Sequence, residues 1–362
     1  MQFFSIENYL RIISGQDRTP RAALLRVGLW PAGALYAAAM VLRNKAYDWR
    51  WLRTEQVEVP VISVGNLTLG GTGKTPFVAW LARWFRRHGV RVSIVSRGYG
   101  AEEGSRNDEA KALEWALPDV PHLQNPDRVA AARTAITELE TELILLDDAF
   151  QHRRIARDLD IVLLDALQPF GFGHVVPRGL LREPLRGIRR AQIVILSRAD
   201  LVSQDLREEI RQRVAKLHPS AIWAEIRQQP TAWVNAAGDA QTLESFHPDK
   251  VLAFCGIGNP EAFRRTLERL QFTLDPGAVR VFPDHHPYTR EDVGDLTRWA
   301  EQMQAKAVVC TEKDLVKIGL THLGKIPLWA LRIEVAFISG LSDVEAALQP
   351  LVERVIRNRE SR

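Results

Sequence analysis

Cysteine is scarce in this chain: only Cys255 and Cys310 occur in 362 residues, and no zinc-ligand spacing exists. Each lies in an apolar, strand-like run, which predicts buried thiols in a reducing compartment. No internal repeat and no low-complexity segment occurs. A large excess of one charge is missing too, with 48 Lys and Arg against 44 Asp and Glu for a net charge of +4. Charged residues at 25% and apolar residues at 46% are ordinary for a globular protein. The arginines are nonetheless uneven, clustering at 178–190, at 83–91 and around the first apolar stretch. Such patches suit nucleic acid or an anionic membrane surface. The N-terminus favours the membrane surface, so no nucleic acid and no stable protein partner is expected.

A long uninterrupted hydrophobic run is also lacking. Residues 27–42 are sixteen without a charge, and a helix of that length reaches about 24 Å, short of a ~30 Å hydrocarbon core. Extension back through 22–25 supplies length but places Arg26 inside. Trp30 and Tyr36 lie within the stretch, and Arg21, Arg43, Lys45, Arg50 and Arg53 flank it. This composition predicts a helix lying in or dipping into one leaflet, the alternative being a buried helix of a soluble core. The long mixed segment before the run argues against a cleaved signal peptide.

What is present begins with Thr68-Leu69-Gly70-Gly71-Thr72-Gly73-Lys74-Thr75, placed between the apolar run 57–64 and the helix-patterned run 77–85. A glycine-rich turn between a strand and a helix N-terminus is a phosphate cradle. Backbone N–H groups, the positive end of the helix dipole, the Lys74 ammonium and the Thr75 hydroxyl converge on a triphosphate and its Mg²⁺. Thr68 stands where the usual G-x-x-x-x-G-K-[ST] pattern has glycine, so Gly70, Gly71, Thr72 and Gly73 form the variant G-G-x-G-K-T turn.

At 362 residues two domains are expected. From residue 57 onward, strand-like runs (57–64, 90–96, 142–146, 161–164, 193–196) alternate with helix-like ones (77–85, 110–116, 126–138), the pattern of a parallel sheet covered by helices. The pattern restarts beyond Pro230 with strands at 251–254 and 307–310 and a helix at 261–269. The expected division is 1–54, an N-terminal membrane-associated helical segment; 55–226, the nucleotide domain; 227–345, a smaller second α/β domain; and 346–362, a C-terminal helix and tail. The apolar run 143–146 ends in Asp147-Asp148, as a strand does that carries a carboxylate to the sheet edge beside the cradle. One of the two binds Mg²⁺ directly or through water, while its neighbour points to the other side of the strand.

Five segments in order carry a specific resemblance: 65–76, Ser96-Arg97-Gly98-Tyr99-Gly100, Asp147-Asp148-Ala149-Phe150-Gln151-His152-Arg153, Pro177-Arg178-Gly179-Leu180-Leu181-Arg182-Glu183-Pro184 and Thr311-Glu312-Lys313-Asp314. Together they resemble the tetraacyldisaccharide 4′-kinase family of lipid A biosynthesis, from the N-terminal apolar helix to about Lys317. The resemblance implies a P-loop NTPase-like, mainly parallel α/β fold with helices on both faces, plus a second α/β domain and a membrane-associated N-terminal helix. It implies a lipid kinase at the cytoplasmic face of the bacterial inner membrane, with ATP and Mg²⁺ as cofactors. Its acceptor is the 4′-hydroxyl of an acylated glucosamine disaccharide 1-phosphate.

The same resemblance assigns roles. Asp108 corresponds to the family's aspartate that accepts the hydroxyl proton, with Asn107 in place of the usual preceding glycine. His285 corresponds to the histidine that orients it, His286 being a nearby rival; placing the pair on different domains would couple catalysis to closure. Arg128 and Arg182 match arginines near the reacting phosphates or the acceptor's 1-phosphate, where a guanidinium fork suits either. His152 reaches the γ-phosphate or metal shell or holds its loop, and Tyr99 packs on nucleotide or sugar or anchors its loop. Lys313 and Asp314 are expected to be mainly structural, and Ala149 stands where the family usually has glycine. A competing class is a membrane-targeted P-loop GTPase or ATPase switch or assembly factor, since Ser197-Arg198-Ala199-Asp200 resembles a guanine-reading [NT]-K-x-D motif after a strand.

Overall fold

The computed structural model describes residues 6–98, 108–275, 277–284 and 286–360. In chain order its elements are α1 (Ile6–Ser14), α2 (Pro20–Asp48), β1 (Val61–Asn66), α3 (Lys74–Arg87), β2 (Val92–Ser96), α4 (Asp108–Ala116), β3 (His122–Gln124) and α5 (Arg128–Glu138). Then come β4 (Leu143–Asp147), β5 (Leu159–Asp165), β6 (Ile193–Ser197), α6 (Gln204–Leu217), β7 (Ile222–Val234), β8 (Ala240–Gln241) and β9 (Val251–Cys255). The chain closes with α7 (Pro260–Arg269), β10 (Val279–Val281), α8 (Arg290–Gln302), β11 (Ala307–Thr311), α9 (Glu312–Ile318), β12 (His322–Leu323), β13 (Ile326–Ser339) and α10 (Leu341–Glu360). Two compact units result, one of residues 1–97, 120–227 and 336–362, the other of 98–119 and 228–335.

The first unit is built on strands in the order β7-β6-β5-β1-β4-β2-β3, every neighbouring pair parallel. Its central strands are apolar on both sides because helices cover both faces. Leu67, Val162, Leu164, Val194 and Leu196 belong to one core, and Val61, Val95, Val129, Ile144 and Leu146 to another. The strand expected at 57–64 begins four residues later. Pro60 has no N–H to give a ladder, and the Val61 N–H is taken by Asp158 Oδ2 at 2.8 Å. Helix α10 buries Val344, Leu348, Leu351, Val352 and Val355. Its polar groups bind the same unit: Glu345 accepts from Trp84 Nε1 at 2.9 Å, Arg354 meets Asp158, and Arg359 meets Glu142.

Helix α2 runs 29 residues, about 43 Å at 1.5 Å per residue, so the uncharged stretch 27–42 is only its middle. It starts where Thr19 caps Ala22 N and Pro20 takes the first turn. Arg26 does not interrupt it, because its guanidinium donates to the carbonyls of Ile12 and Asp17 at 3.0 and 2.8 Å. The soluble-core alternative fails: along α2 only Ala22 and Gly33 are buried, whereas Leu24, Val27, Leu35 and Leu42 are 60–75% exposed. Helix α2 is thus long and apolar enough to cross a membrane by length and composition.

In the second unit β10-β9-β11-β13 form a parallel sheet, with β12 antiparallel on β13. One face packs Phe254, Leu296, Val308 and Leu328, the other Trp233, Val251, Phe263 and Trp329. Helix α4 packs on α9, and Arg332 lies over the Trp115 ring at 5.1 Å. Both cysteines are free and buried, as expected. Burial, then Asp314, pushes the Cys255 thiol up to about 11, and burial does the same to Cys310.

Candidate functional site

The site grows from the C-terminal ends of β1 and β4, which lie side by side with Val64 opposite Asp147. After β1 the chain turns at Asn66, whose buried side chain donates to Thr68 O at 2.8 Å. Thr68 is itself buried and bridges Leu181 in antiparallel fashion, with Leu69 N donating to Leu180 O at 2.7 Å. That pairing is extended backbone and needs no glycine, which explains the departure from the usual motif. Gly70 takes φ +105° and Gly73, the N-cap of α3, φ +76°. Gly73 supplies no capping side chain, so the first N–H groups of α3 are left for a ligand. A Cβ at Gly70 or Gly71 would meet no atom within 4 Å, so the turn opens onto free space.

Two residues read from sequence as a guanine motif brace this turn instead. Ser197 Oγ donates to Thr72 O at 2.7 Å, and Arg198 donates to Gly71 O at 2.6 Å while pairing with Asp165. With Ser197 and Arg198 committed to cradle carbonyls, the switch-GTPase alternative loses the feature that supported it.

Lys74 opens α3 and reaches Asp148 Oδ1 at 3.3 Å. Arg182 Nη1 donates to both oxygens of the same carboxylate, each at 2.9 Å. Burial opposes the Asp148 charge, but Lys74 and then Arg182 outweigh it and hold this carboxyl below the usual range. Asp148 sits at φ +48°, turned out of the strand, whereas Asp147 ends β4 and is buried. The loop beyond is pressed against β1: a Cβ on Gly65 would lie 2.6 Å from Phe150 Cβ and 2.8 Å from Phe150 N. Glycine at 65 is what permits the close approach, and Ala149, fully buried, keeps its Cβ.

Arg128 is the first residue of α5, whose N-cap is Asp127. It is buried; burial and Arg97 press its pKa down while Asp148 and Asp147 act the other way. Its Nη1 lies 3.4 Å from His152 Nδ1. Burial first, then Arg128 and Arg157, lowers the His152 pKa to about 4, so the imidazole is neutral and presents a lone pair to the guanidinium. The structure therefore brings together Lys74, Asp148, Arg182, Arg128 and His152 near Asp147, with Thr75 one residue inside α3.

Tyr99 and His285 lie outside the described residues, and of Asp108 only its backbone place at the start of α4 is described. Residues 98–119 group with 228–335 in one unit, so the expected placement of the Asp108 and His285 segments on different domains does not hold. His286 bonds Asp292 through Nε2 at 3.1 Å and stacks on Phe282 at 4.8 Å. Asp314 is wholly buried and accepts from Gly256 N, Tyr288 and Thr311. Sequence reasoning gave Gly65 and Glu183 no role of their own and gave Ser197 and Arg198 a guanine-reading one. A polar pair directly after an apolar strand, as at Ser197-Arg198, is the one signal that marks a loop at the same sheet edge.

Among known proteins, the family model described as tetraacyldisaccharide-1-P 4′-kinase matches residues 25–353. A tetraacyldisaccharide 4′-kinase of Anaeromyxobacter sp. (strain K) is 38% identical over 348 residues, covering 91% of each chain. Another, of Syntrophus aciditrophicus (strain SB), is 37% identical over 345 residues, covering 88% of this chain and 90% of its own. The crystal structure of the "apo" form of LpxK from Aquifex aeolicus in complex with ATP is similar with a TM-score of 0.70 and 28% identity, covering 91% of this chain and 99% of that one.

Proposed function

Because the chain belongs to the tetraacyldisaccharide-1-P 4′-kinase family, we infer that it transfers the γ-phosphoryl of ATP to the 4′-hydroxyl of an acylated glucosamine disaccharide 1-phosphate. The observation that carries this reading is the uncapped N-terminus of α3 under Gly70 and Gly73, with Lys74 and the Asp147-Asp148 pair beside it. ATP is the donor. The Lys74 ammonium neutralises phosphate charge, and leaving Asp148 for a phosphate oxygen costs that carboxylate little because Arg182 still holds both its oxygens.

The residues present also fit Mg²⁺. Among the described residues no cluster of three or more His, Cys, Asp or Glu could hold a metal alone. Mg²⁺ needs none, since one or two protein oxygens plus substrate phosphates suffice, and Thr75 with Asp147 or Asp148 provides them. When bound, the ion supplies neutralisation of charge building on the phosphoryl oxygens. Arg128 and Arg182 bind phosphate oxygens, and neutral His152 fixes Arg128 by accepting from it. Asp108 takes the acceptor's hydroxyl proton and His285 orients it, with Tyr99 against nucleotide or sugar; these three roles rest on the resemblance.

The N-terminal segment 1–54 holds the enzyme on an anionic membrane at the cytoplasmic face of the inner membrane, through the exposed face of α2. Residues 55–226 serve the nucleotide, apart from the 98–119 segment that carries Asp108 and groups with 228–335, and 346–362 hold the closing helix. No nucleic acid and no stable protein partner takes part. The experiment that tests the reading measures ATP and GTP consumption with and without the acylated disaccharide 1-phosphate. ATP use that rises with the glycolipid is expected; GTP use indifferent to it would return the switch reading.

A further inference from the structure

Helix α2 has two faces. Leu24, Val27, Leu35 and Leu42 fall on one and are exposed. Tyr36, Arg43 and Asn44, spaced i, i+7 and i+8, fall on the other and are all engaged with the loops of the site. Tyr36 Oη donates to Arg182 O at 2.9 Å, the carbonyl of the residue whose guanidinium grips Asp148. Arg43 Nη2 donates to Gln151 O at 2.9 Å, one residue before His152. Asn44 Nδ2 donates to Glu183 Oε2 at 2.9 Å.

Glu183 gathers these contacts. It is wholly buried, yet its two oxygens accept four hydrogen bonds: two from Arg190 at 2.7 and 2.9 Å, one from Gln151 at 3.0 Å and the one from Asn44. Gln151 Nε2 also donates to Asn66 O at 3.0 Å, at the root of the phosphate turn. A Cβ at Gly187 would lie 2.5 Å from Glu183 Oε2, so the backbone there is moulded to this carboxylate. A buried carboxylate is costly unless fully partnered, and here its partners come from α2, from the loop after Asp147-Asp148 and from the segment after Arg182.

We propose that Glu183 is a positioning residue of the phosphoryl-transfer site, and that the polar face of α2 holds Arg182 and the 148–152 loop in place through it. Helix α2 then has a catalytic duty separate from its apolar face. The inference rests on the kinase reading above.

The test measures turnover on the acylated disaccharide 1-phosphate carried in phosphatidylglycerol vesicles, together with vesicle partition and the thermal midpoint. The variants are Glu183→Gln and the double variant Tyr36→Phe/Asn44→Leu, which removes two donors while keeping ring and volume. Each is made in the parent and in an Arg182→Ala background. We expect the double variant to bind vesicles as the parent does and to keep its KM for ATP. Its kcat should fall about tenfold, as a displacement below 1 Å allows. In the Arg182→Ala background the same change should cost less than in the parent, because part of its effect passes through Arg182. A kcat within twofold of the parent, or an equal drop in both backgrounds, would overturn the proposal. Should Glu183→Gln not fold, the double variant decides alone. A parent chain that does not phosphorylate the glycolipid overturns the function and this inference together; an active parent matched by its variants overturns only the inference.

Discussion

At the residue scale the site is a set of charges in mutual contact. Lys74 and Arg182 share Asp148. Removing the ammonium in Lys74→Ala is expected to lower kcat by about 10²–10³, the usual cost of losing one preorganised donor. The measurement is steady-state turnover, with the thermal midpoint showing that the fold survives. Gly65→Ala is a different kind of lesion, since its methyl would enter the backbone of Phe150. We expect a loss of about 1–3 kcal/mol in chemical unfolding and a larger loss of activity, because the displaced loop carries Asp148 and His152. An unchanged unfolding midpoint would contradict the packing described for that loop.

His152 gives a pH signature with a definite sign. Its folded pKa, about 4, lies below the ordinary value near 6.5. Between those values the unfolded chain binds more protons, so this contribution to stability is complete above about pH 6.5 and is lost as pH falls toward 4. The full effect is at most about 3 kcal/mol, reduced because the ring is only half-buried. Urea midpoints should therefore fall more steeply for the parent than for His152→Gln between pH 6.5 and 4.5, and parallel curves would count against the assignment. Lys74, Thr75 and the aspartate pair were legible in the sequence because a turn between a strand and a helix confines them locally. Ser197, Arg198 and Glu183 were not: Arg198 meets Gly71 across 127 residues and Glu183 meets Asn44 across 139, and no local pattern records such partners.

At the scale of elements, α2 illustrates what periodicity sees and what it misses. The uncharged stretch 27–42 marked the helix, but its ends at Pro20 and Asp48 depend on Arg26 and Arg43 finding carbonyls elsewhere in the fold. Likewise apolar Val57 and Val59 read as strand, while Pro60 and the Asp158 carboxylate set the start of β1 at Val61. The exposed face of α2 leads to a prediction of its own. Burying a Leu or Val side chain is worth about 1.5–3 kcal/mol, so Leu24, Val27, Leu35 and Leu42 changed together to Gln should reduce vesicle partition at least tenfold. Flotation with anionic vesicles measures it, and undiminished binding would place the membrane contact elsewhere.

At the scale of the whole molecule, the chain passes between its two units at 97–98, 119–120, 227–228 and 335–336. Two of these crossings, at 227–228 and 335–336, fall inside the continuous strands β7 and β13. The last crossing matters for stability, since it returns the chain to the first unit as α10. Five buried apolar side chains of α10, at about 1.5–3 kcal/mol each, amount to roughly 7–15 kcal/mol, comparable with the whole stability of a typical domain. A chain truncated at residue 340 should therefore lose its cooperative melt by circular dichroism, and a parent-like melt would show that the helix is dispensable.

The central claim is that the turn under α3 delivers the terminal phosphate of ATP to a lipid-borne sugar. It is tested most directly by incubating the purified protein with γ-labelled ATP and the acylated disaccharide 1-phosphate, and locating the label by mass spectrometry. The account predicts a phosphate ester at the 4′ position, formed by the parent chain and nearly abolished in folded Lys74→Ala. Label that never reaches the glycolipid, or reaches it equally fast without Lys74, would contradict it.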